Sequence, residues 1–165
     1  MKEQQISFPY EEYESINELN KADAQLMQKA RAITKYAYAP YSHFNVGATA
    51  LMQNGSFVNG TNQENASYPV GICAERVLLS SASSQFPGEA IETVAISYLN
   101  ENGLSDKPIS PCGICRQSLA EYESRQKHPI RLILGGMEGK MIIIQKASML
   151  LPLGFGSNDL KQDNL

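Results

Sequence analysis

The sequence lacks features that would assign it to three classes of protein. Its 165 residues contain no uninterrupted apolar run near the roughly 20 residues of a membrane span. Residues 1–5 lead into no apolar core like that of a secretory signal. Basic residues are not in excess: 14 lysines and arginines face 17 acidic residues, a net charge of −3, so nucleic-acid phosphates exert no general attraction. We expect a cytoplasmic protein that binds neither membranes nor nucleic acids.

Cysteine and histidine are scarce, which limits the metal or disulfide sites that the chain can build. The three cysteines cannot all pair with one another, and cytosolic thiols stay reduced. A Cys-x-x-Cys pair, Cys112 and Cys115, with the distant Cys73 therefore favours a metal site over disulfides. The two histidines, His43 and His128, do not have the spacing of zinc-finger ligands.

The rest of the composition indicates a soluble, globular chain, with 42% hydrophobic and 19% charged residues. Residues 17–156 have the length and patterning of one domain. Residues 1–16 precede it as an N-terminal extension, either a loose arm or an edge strand with alternating Ile6, Phe8 and Tyr10. Residues 157–165 form a polar C-terminal tail.

The hydrophobic periodicity predicts an α/β fold. A helix is expected over residues 16–37, capped by Ser15 or Asn17, and a hairpin over 44–62. Two further helices begin at Cys73 and Cys112, and apolar strands follow each of them. Strands that alternate with helices after an opening hairpin predict a three-layer α/β/α sandwich around a mixed sheet of roughly five strands.

Zinc is the metal that suits these cysteines, because thiolates bind it well and helix N-termini favour thiolate over thiol. A structural zinc site takes four protein ligands, whereas a catalytic site keeps one position for water. Cys73, Cys112 and Cys115 supply only three ligands. They therefore predict a catalytic site, unless His43 or His128 completes the shell.

Charged residues next to the cysteines can offset charge and exchange protons at such a zinc site. Zinc with three thiolates carries a formal charge of −1, which opposes deprotonation of bound water. Arg76 and Arg116 can offset that charge, and we predict that Arg76 donates hydrogen bonds to the thiolates. Glu75 follows Cys73 by two positions and can exchange protons with the water, although a first-turn glutamate can also merely complement the helix dipole.

Several segments together resemble cytidine deaminases, specifically the small homotetrameric form with three cysteine ligands. The pair Cys73-Ala74-Glu75 and Pro-Cys-x-x-Cys is the zinc deaminase signature. The resemblance covers about residues 17–156, and the matching segments are YAPYS at 38–42, FNVGA at 44–48, NQENASY at 62–68, CAER at 73–76 and CGICRQ at 112–117.

The resemblance implies zinc-dependent hydrolytic deamination of cytidine and deoxycytidine to uridine and deoxyuridine, a reaction of pyrimidine salvage. It also implies one Zn²⁺ per subunit, a nucleoside substrate, a cytidine deaminase-like fold, and a homotetramer whose active sites are shared between subunits. Glu75 is then the general acid and base.

The implied substrate contacts come from seven residues. Phe44 would pack on the pyrimidine ring, Asn62 and Glu64 would bind the ribose, the backbone of Ala74 and Ser110 would read the base, and Tyr68 and Phe155 would reach adjacent sites. Without the resemblance, Phe44 and Phe155 can be core aromatics, and Asn62 and Glu64 can be loop caps.

Other functions also fit parts of the pattern. The chain can be a deaminase of another cytosine-bearing small molecule, such as blasticidin S. A nucleic-acid-editing deaminase is disfavoured by the acidic balance. The alternative from a different class of protein is a non-catalytic interaction domain whose fold is stabilised by zinc.

Overall fold

A computed structural model describes residues 1–160 of the chain. Three α-helices and six strands alternate along it, joined by short 3-10 turns. The helices are α1 (Lys21–Ile33), α2 (Ala74–Gln85) and α3 (Gly113–Gln126). The strands are β1 (Glu11–Tyr13), β2 (Phe44–Met52), β3 (Phe57–Thr61), β4 (Ile91–Asn100), β5 (Arg131–Gly135) and β6 (Met141–Ile144).

The six strands form one mixed sheet in the order β1-β6-β5-β4-β2-β3. Strands β4 and β5 are parallel, and the other neighbouring pairs are antiparallel. The predicted α/β/α class is confirmed, with six strands rather than five because residues 11–13 pair with β6. The alternation of Ile6, Phe8 and Tyr10 had indicated a strand earlier in the sequence. The strand forms at residues 11–13 instead, because pairing with β6 sets its register.

Helices cover both faces of the sheet and bury a separate core against each. The first core joins α1 to one face through Leu26, Met27, Ala30, Ala95, Ile133 and Ile143. The second core joins α2 and α3 to the other face through Leu78, Leu79, Leu119, Val94, Ile96 and Leu132. Within residues 1–160, none of the helices combines the length and apolar character needed to span a bilayer.

Two glycines let helices approach the sheet closely. A Cβ atom on Gly47 of β2 would lie 2.3 Å from the carbonyl oxygen of Ala30 in α1. A Cβ atom on Gly60 of β3 would lie 2.3 Å from the carbonyl oxygen of Ala74, at the start of α2. Gly60 therefore fixes where the first turn of α2 rests on the sheet.

The N-terminal segment is tied to the sheet edge. Lys140 forms ion pairs with Glu12 at 2.8 Å and with Glu14 at 3.1 Å. Phe8 packs against the α2/α3 core. The cap of α1 differs from the prediction: Asn20 caps α1, whereas Ser15 caps a short 3-10 turn at Ile16–Glu18.

The C-terminal tail begins with an ordered turn. Residues Ser157–Leu160 form a 3-10 turn, and Asp159 accepts a hydrogen bond from the Gly156 amide at 2.7 Å. The remainder of the predicted tail, residues 161–165, lies outside the described residues.

Candidate active site

The three cysteines converge in one cluster although 39 residues separate Cys73 from Cys112 in the sequence. The Sγ atoms of Cys73 and Cys112 are 3.7 Å apart, and those of Cys112 and Cys115 are 3.4 Å apart. All three sulfurs lie within 4.8 Å of one another, and none is in a disulfide. Three thiols are thus directed at a single point.

The sulfur separations fit a zinc ion. A tetrahedral zinc with Zn–S bonds of about 2.3 Å places its sulfurs about 3.8 Å apart. Within residues 1–160 the cluster comprises the three cysteines alone. His43 pairs with Glu101 at 3.2 Å, and His128 lies in the loop after α3. The donor set is therefore the one that leaves zinc a position for water.

Two of these cysteines occupy helix N-cap positions. Cys73 precedes α2 and Cys112 precedes α3, and neither side chain caps its own helix. The interaction with the Cys115 thiol lowers the pKa of Cys73 to about 6, and the charge of Arg76 contributes in the same direction. The same contact raises the pKa of Cys115. The cluster thus favours a thiolate at Cys73.

Glu75 lies in the first turn of α2, beside the sulfurs. Its side chain is buried, with 5% of the residue exposed. Burial raises the pKa of this carboxyl above its ordinary value of 4.5, because an apolar setting disfavours the charged form. A carboxyl group with a raised pKa is suited to accept and return protons.

A cleft of about 340 Å³ opens over the cluster, and Cys73 and Cys112 lie at its wall. Glu75 and five of the seven predicted substrate residues line the same cleft. These residues are Asn62, Glu64, Tyr68, Ala74, Glu75 and Ser110. The structure therefore brings the predicted ligands, acid–base group and polar contacts to one place.

Asn62 and Glu64 already hold the backbone at the cleft. The Asn62 side chain accepts a hydrogen bond from the Val46 amide at 2.7 Å and donates one to the Phe44 carbonyl at 2.9 Å.

Glu64 Oε2 accepts hydrogen bonds from the Tyr41 amide at 2.9 Å and from the Ser42 amide at 3.3 Å. The Ser42 hydroxyl and these amides lower the pKa of Glu64. Each side chain keeps capacity for a further hydrogen bond.

Two predicted aromatic contacts lie away from the cleft lining. Phe44 stacks on Tyr98, with ring centroids 4.8 Å apart. Phe155 is 60% exposed and borders a groove on the outer side of α3 together with Gln117 and Tyr122. Phe155 therefore lies outside the cleft of its own chain. Tyr68 lines that cleft and remains 75% exposed.

The two arginines next to the cysteines, Arg76 and Arg116, make different contacts. No hydrogen bond from Arg76 to a sulfur occurs in the part of the chain that the structure describes. The charge of Arg76 contributes to the lowered pKa of Cys73, and its hydrogen bond to the thiolates stays a prediction. Arg116 donates hydrogen bonds to the Pro111 carbonyl at 2.8 Å and to the Leu150 carbonyl at 3.2 Å. Arg116 thus fixes the segment that leads into Cys112.

Sequence reasoning did not identify Gly60 as a site residue. Its missing side chain seats the first turn of α2, which carries Glu75. The sequence did contain a signal for this role, because a glycine inside a strand pattern indicates that another backbone segment approaches closely. The backbone role of Asn62 agrees with the alternative that it caps a loop, although its particular partners at Phe44 and Val46 depend on the fold.

The comparisons with known proteins agree with this geometry. A sequence model of the cytidine and deoxycytidylate deaminase zinc-binding region matches residues 20–128, which include all three cysteines and Glu75. The chain belongs to this family. It is 38% identical over 135 residues to a cytidine deaminase of Halalkalibacterium halodurans, an alignment that covers 82% of this chain and 95% of that protein.

Solved structures of cytidine deaminases share the fold. The crystal structure from Burkholderia pseudomallei is 36% identical, with a TM-score of 0.69 over 83% of this chain and all of that one. The crystal structure from Mycobacterium tuberculosis is 29% identical, with a TM-score of 0.61 over 80% of this chain and 95% of that one. The deaminase family is therefore supported by sequence and by architecture.

Proposed function

We propose that this deaminase hydrolyses cytidine and deoxycytidine to uridine and deoxyuridine with release of ammonia. Cys73, Cys112 and Cys115 hold one Zn²⁺ per subunit, and Glu75 is the catalytic acid and base. The observation that carries the proposal is a buried carboxyl group beside a three-thiol cluster in an open cleft.

Zinc and Glu75 have separate roles in the proposed deamination. When bound, zinc supplies the Lewis acidity that makes water a nucleophile near neutral pH. Glu75 delivers one proton of that water to N3 of the cytosine ring and the other to the departing amine. The C4–N bond breaks and a C4–O bond replaces it, so ammonia leaves and no cofactor is consumed. Burial raises the pKa of Glu75, which favours its protonated form between the two transfers.

The substrate contacts follow the polar lining of the cleft. Asn62 and Glu64 bind the ribose hydroxyls with the hydrogen-bonding capacity that their backbone contacts leave. The backbone of Ala74 and Ser110 reads the edge of the base. In this proposal Phe44 packs on the pyrimidine ring, which requires the substrate to extend past the cleft lining to the Phe44–Tyr98 stack.

The active protein is a homotetramer in this proposal, with sites shared between subunits. The exposed rings of Tyr68 and Phe155 support it, because an exposed aromatic outside its own core is available to a neighbouring copy. The enzyme acts in the cytoplasm in pyrimidine salvage. Light scattering on the purified protein tests the assembly, and a monomeric mass contradicts the sharing of sites.

Incubation of the purified protein with cytidine tests the function directly. Uridine and ammonia are expected in equal amounts, with loss of activity in chelator and recovery on addition of Zn²⁺. A panel that contains deoxycytidine, blasticidin S and a cytosine-containing oligonucleotide defines the substrate class. If the protein binds zinc but converts none of these substrates, it is a non-catalytic interaction domain whose fold is stabilised by zinc.

A further inference from the structure

Gln117 connects the cysteine-bearing helix to the C-terminal segment. It lies two residues after Cys115 on α3, and its Nε2 donates a hydrogen bond to the Phe155 carbonyl at 2.8 Å. The preceding residue, Arg116, donates to the Leu150 carbonyl at 3.2 Å. Two adjacent side chains of α3 therefore hold the two ends of residues 150–155.

The segment between these anchors has a defined turn but few contacts with its own subunit. The Gly154 amide donates to the Leu151 carbonyl at 3.1 Å, which closes the turn. Leu153 adopts a positive φ of 57°, a conformation that side-chain-bearing residues rarely take, and is 93% exposed. A strained, exposed turn keeps its shape only when its ends are held.

A hydrogen bond holds the backbone of Phe155, whereas the ring of Phe155 is largely exposed. The ring is 60% exposed, whereas the carbonyl of the same residue receives the Gln117 hydrogen bond. The cleft of its own subunit is lined by residues of the 46–75 and 109–112 regions and not by this segment. The hydrogen bond thus sets the direction of an aromatic ring that its own core does not pack.

We propose that Gln117 is a positioning residue for substrate binding, which acts by fixing Phe155 in the orientation that covers a nucleoside in the cleft of an adjacent subunit. This inference rests on the proposed deaminase function. Helix α3 then serves two sites, since its N-terminal end carries two of the three proposed zinc ligands of one subunit and its next residues fix the aromatic cover of another.

A purely structural role for Gln117 has a different consequence. Removal of a structural contact lowers stability or zinc content, and the apparent kcat then falls through loss of active protein while KM stays unchanged. Removal of a positioning contact weakens nucleoside binding alone, because within residues 1–160 no hydrogen bond joins Gln117 to the cysteines or Glu75, and Gln117 does not line the cleft. The split between KM and kcat therefore separates the two roles.

The test compares Gln117→Leu, which keeps the volume and removes the donor, with the wild-type enzyme in steady-state assays. The expected result is a KM for cytidine raised by about three- to tenfold, the effect of one lost hydrogen bond. The expected kcat, zinc content and tetramer mass are unchanged. Glu121→Gln, in the same groove but without a bond to the segment, is the matched control.

A double-mutant cycle with Phe155→Ala decides whether Gln117 acts through Phe155. If it does, the double variant has the KM of Phe155→Ala alone, because the ring that Gln117 directs is already gone. Hydrogen exchange should also accelerate in residues 151–156 of Gln117→Leu.

A wild-type KM in Gln117→Leu, additive effects in the cycle, or loss of zinc from the variant each overturn this inference while the deaminase function stands. A wild-type protein that does not deaminate cytidine overturns the proposed function, and the inference with it.

Discussion

Cys73 and Cys112 occupy the same position in two different helices: each is the N-cap residue, and their sulfurs are 3.7 Å apart. The N-termini of α2 and α3 therefore face one point. The unpaired amides and positive dipole ends there favour negative charge on the sulfurs. This arrangement offsets part of the excess charge that three thiolates would carry.

Replacement of Glu75 by glutamine should abolish turnover without loss of metal. We expect kcat to fall by at least about 10²–10⁴-fold, the usual contribution of a general acid and base. Bound zinc measured by elemental analysis should remain at one per subunit. The melting temperature should not fall, because a neutral amide replaces a buried carboxyl group. Near-normal activity in Glu75→Gln, judged against the exposed-site control Glu89→Gln, removes Glu75 from the mechanism.

Replacement of Cys112 by alanine should lower zinc occupancy. Two sulfurs remain in the cluster, and a two-ligand site holds zinc much less tightly than a three-ligand site. Ile114→Ala is the matched control, because Ile114 lies between the two cysteines in the sequence and is 64% exposed. A full zinc complement in Cys112→Ala shows that the ligand set is wrong.

Glu123 should prove important for stability and not for chemistry. Its carboxylate accepts hydrogen bonds from the backbone amides of Ile130, Ala147 and Ser148 at 2.7–2.9 Å. In Glu123→Gln an N–H group faces at least one of these donors, so we expect a loss of about 1–3 kcal/mol. The melting temperature should fall by about 2–4 °C per kcal/mol. An equal loss in the exposed control Glu121→Gln contradicts this role.

Ser97→Ala should leave stability unchanged or raise it. The Ser97 hydroxyl is fully buried in β4 and has no hydrogen-bond partner within the described residues. An unpaired buried hydroxyl costs about 1–3 kcal/mol. Thr49→Val is the matched comparison on β2, because the Thr49 hydroxyl donates to Asn59 at 2.8 Å. Chemical denaturation should show Thr49→Val as the less stable variant, and the reverse order refutes the assignment.

Deletion of residues 2–14 should destabilise the sheet edge. The deletion removes β1, the partners of Lys140 and the packing of Phe8, and it exposes the backbone of β6. We expect a lower free energy of unfolding and concentration-dependent association through the open edge. Deletion of residues 2–6 alone leaves β1 in place and serves as the control. Equal behaviour of the two deletions shows that the arm does not protect the edge.

The elements with strong local signals were predicted correctly. The helices after Cys73 and Cys112 begin where expected, because the signals for a helix start and for an apolar face lie within a few residues. The start of α1 was placed too early, since several polar residues there can cap a helix and the tertiary structure selects Asn20. The N-terminal strand was misplaced because its register depends on β6, 128 residues away at the Lys140–Glu12 contact.

The long-range polar contacts had no local signal. The predicted hydrogen bond from Arg76 to the thiolates rests on charge and sequence proximity and stays a prediction, because it also requires the side chain to point at the sulfur. Arg116 was a candidate for the same task, and its carbonyl partners at Pro111 and Leu150 are brought together by the fold.

For Cys73, Glu75 and the Cys112/Cys115 pair, the sequence alone determined which donor and acid–base groups are available, because the type and number of these groups are properties of the residues themselves. Only the tertiary structure decided that the two helix starts meet with sulfur separations that fit zinc. It also decided that Glu75 is buried and that Phe155 lies outside its own cleft. The physical reason is that distance, burial and direction depend on how α2, α3 and the C-terminal segment pack on the sheet, which residues distant in the sequence determine together.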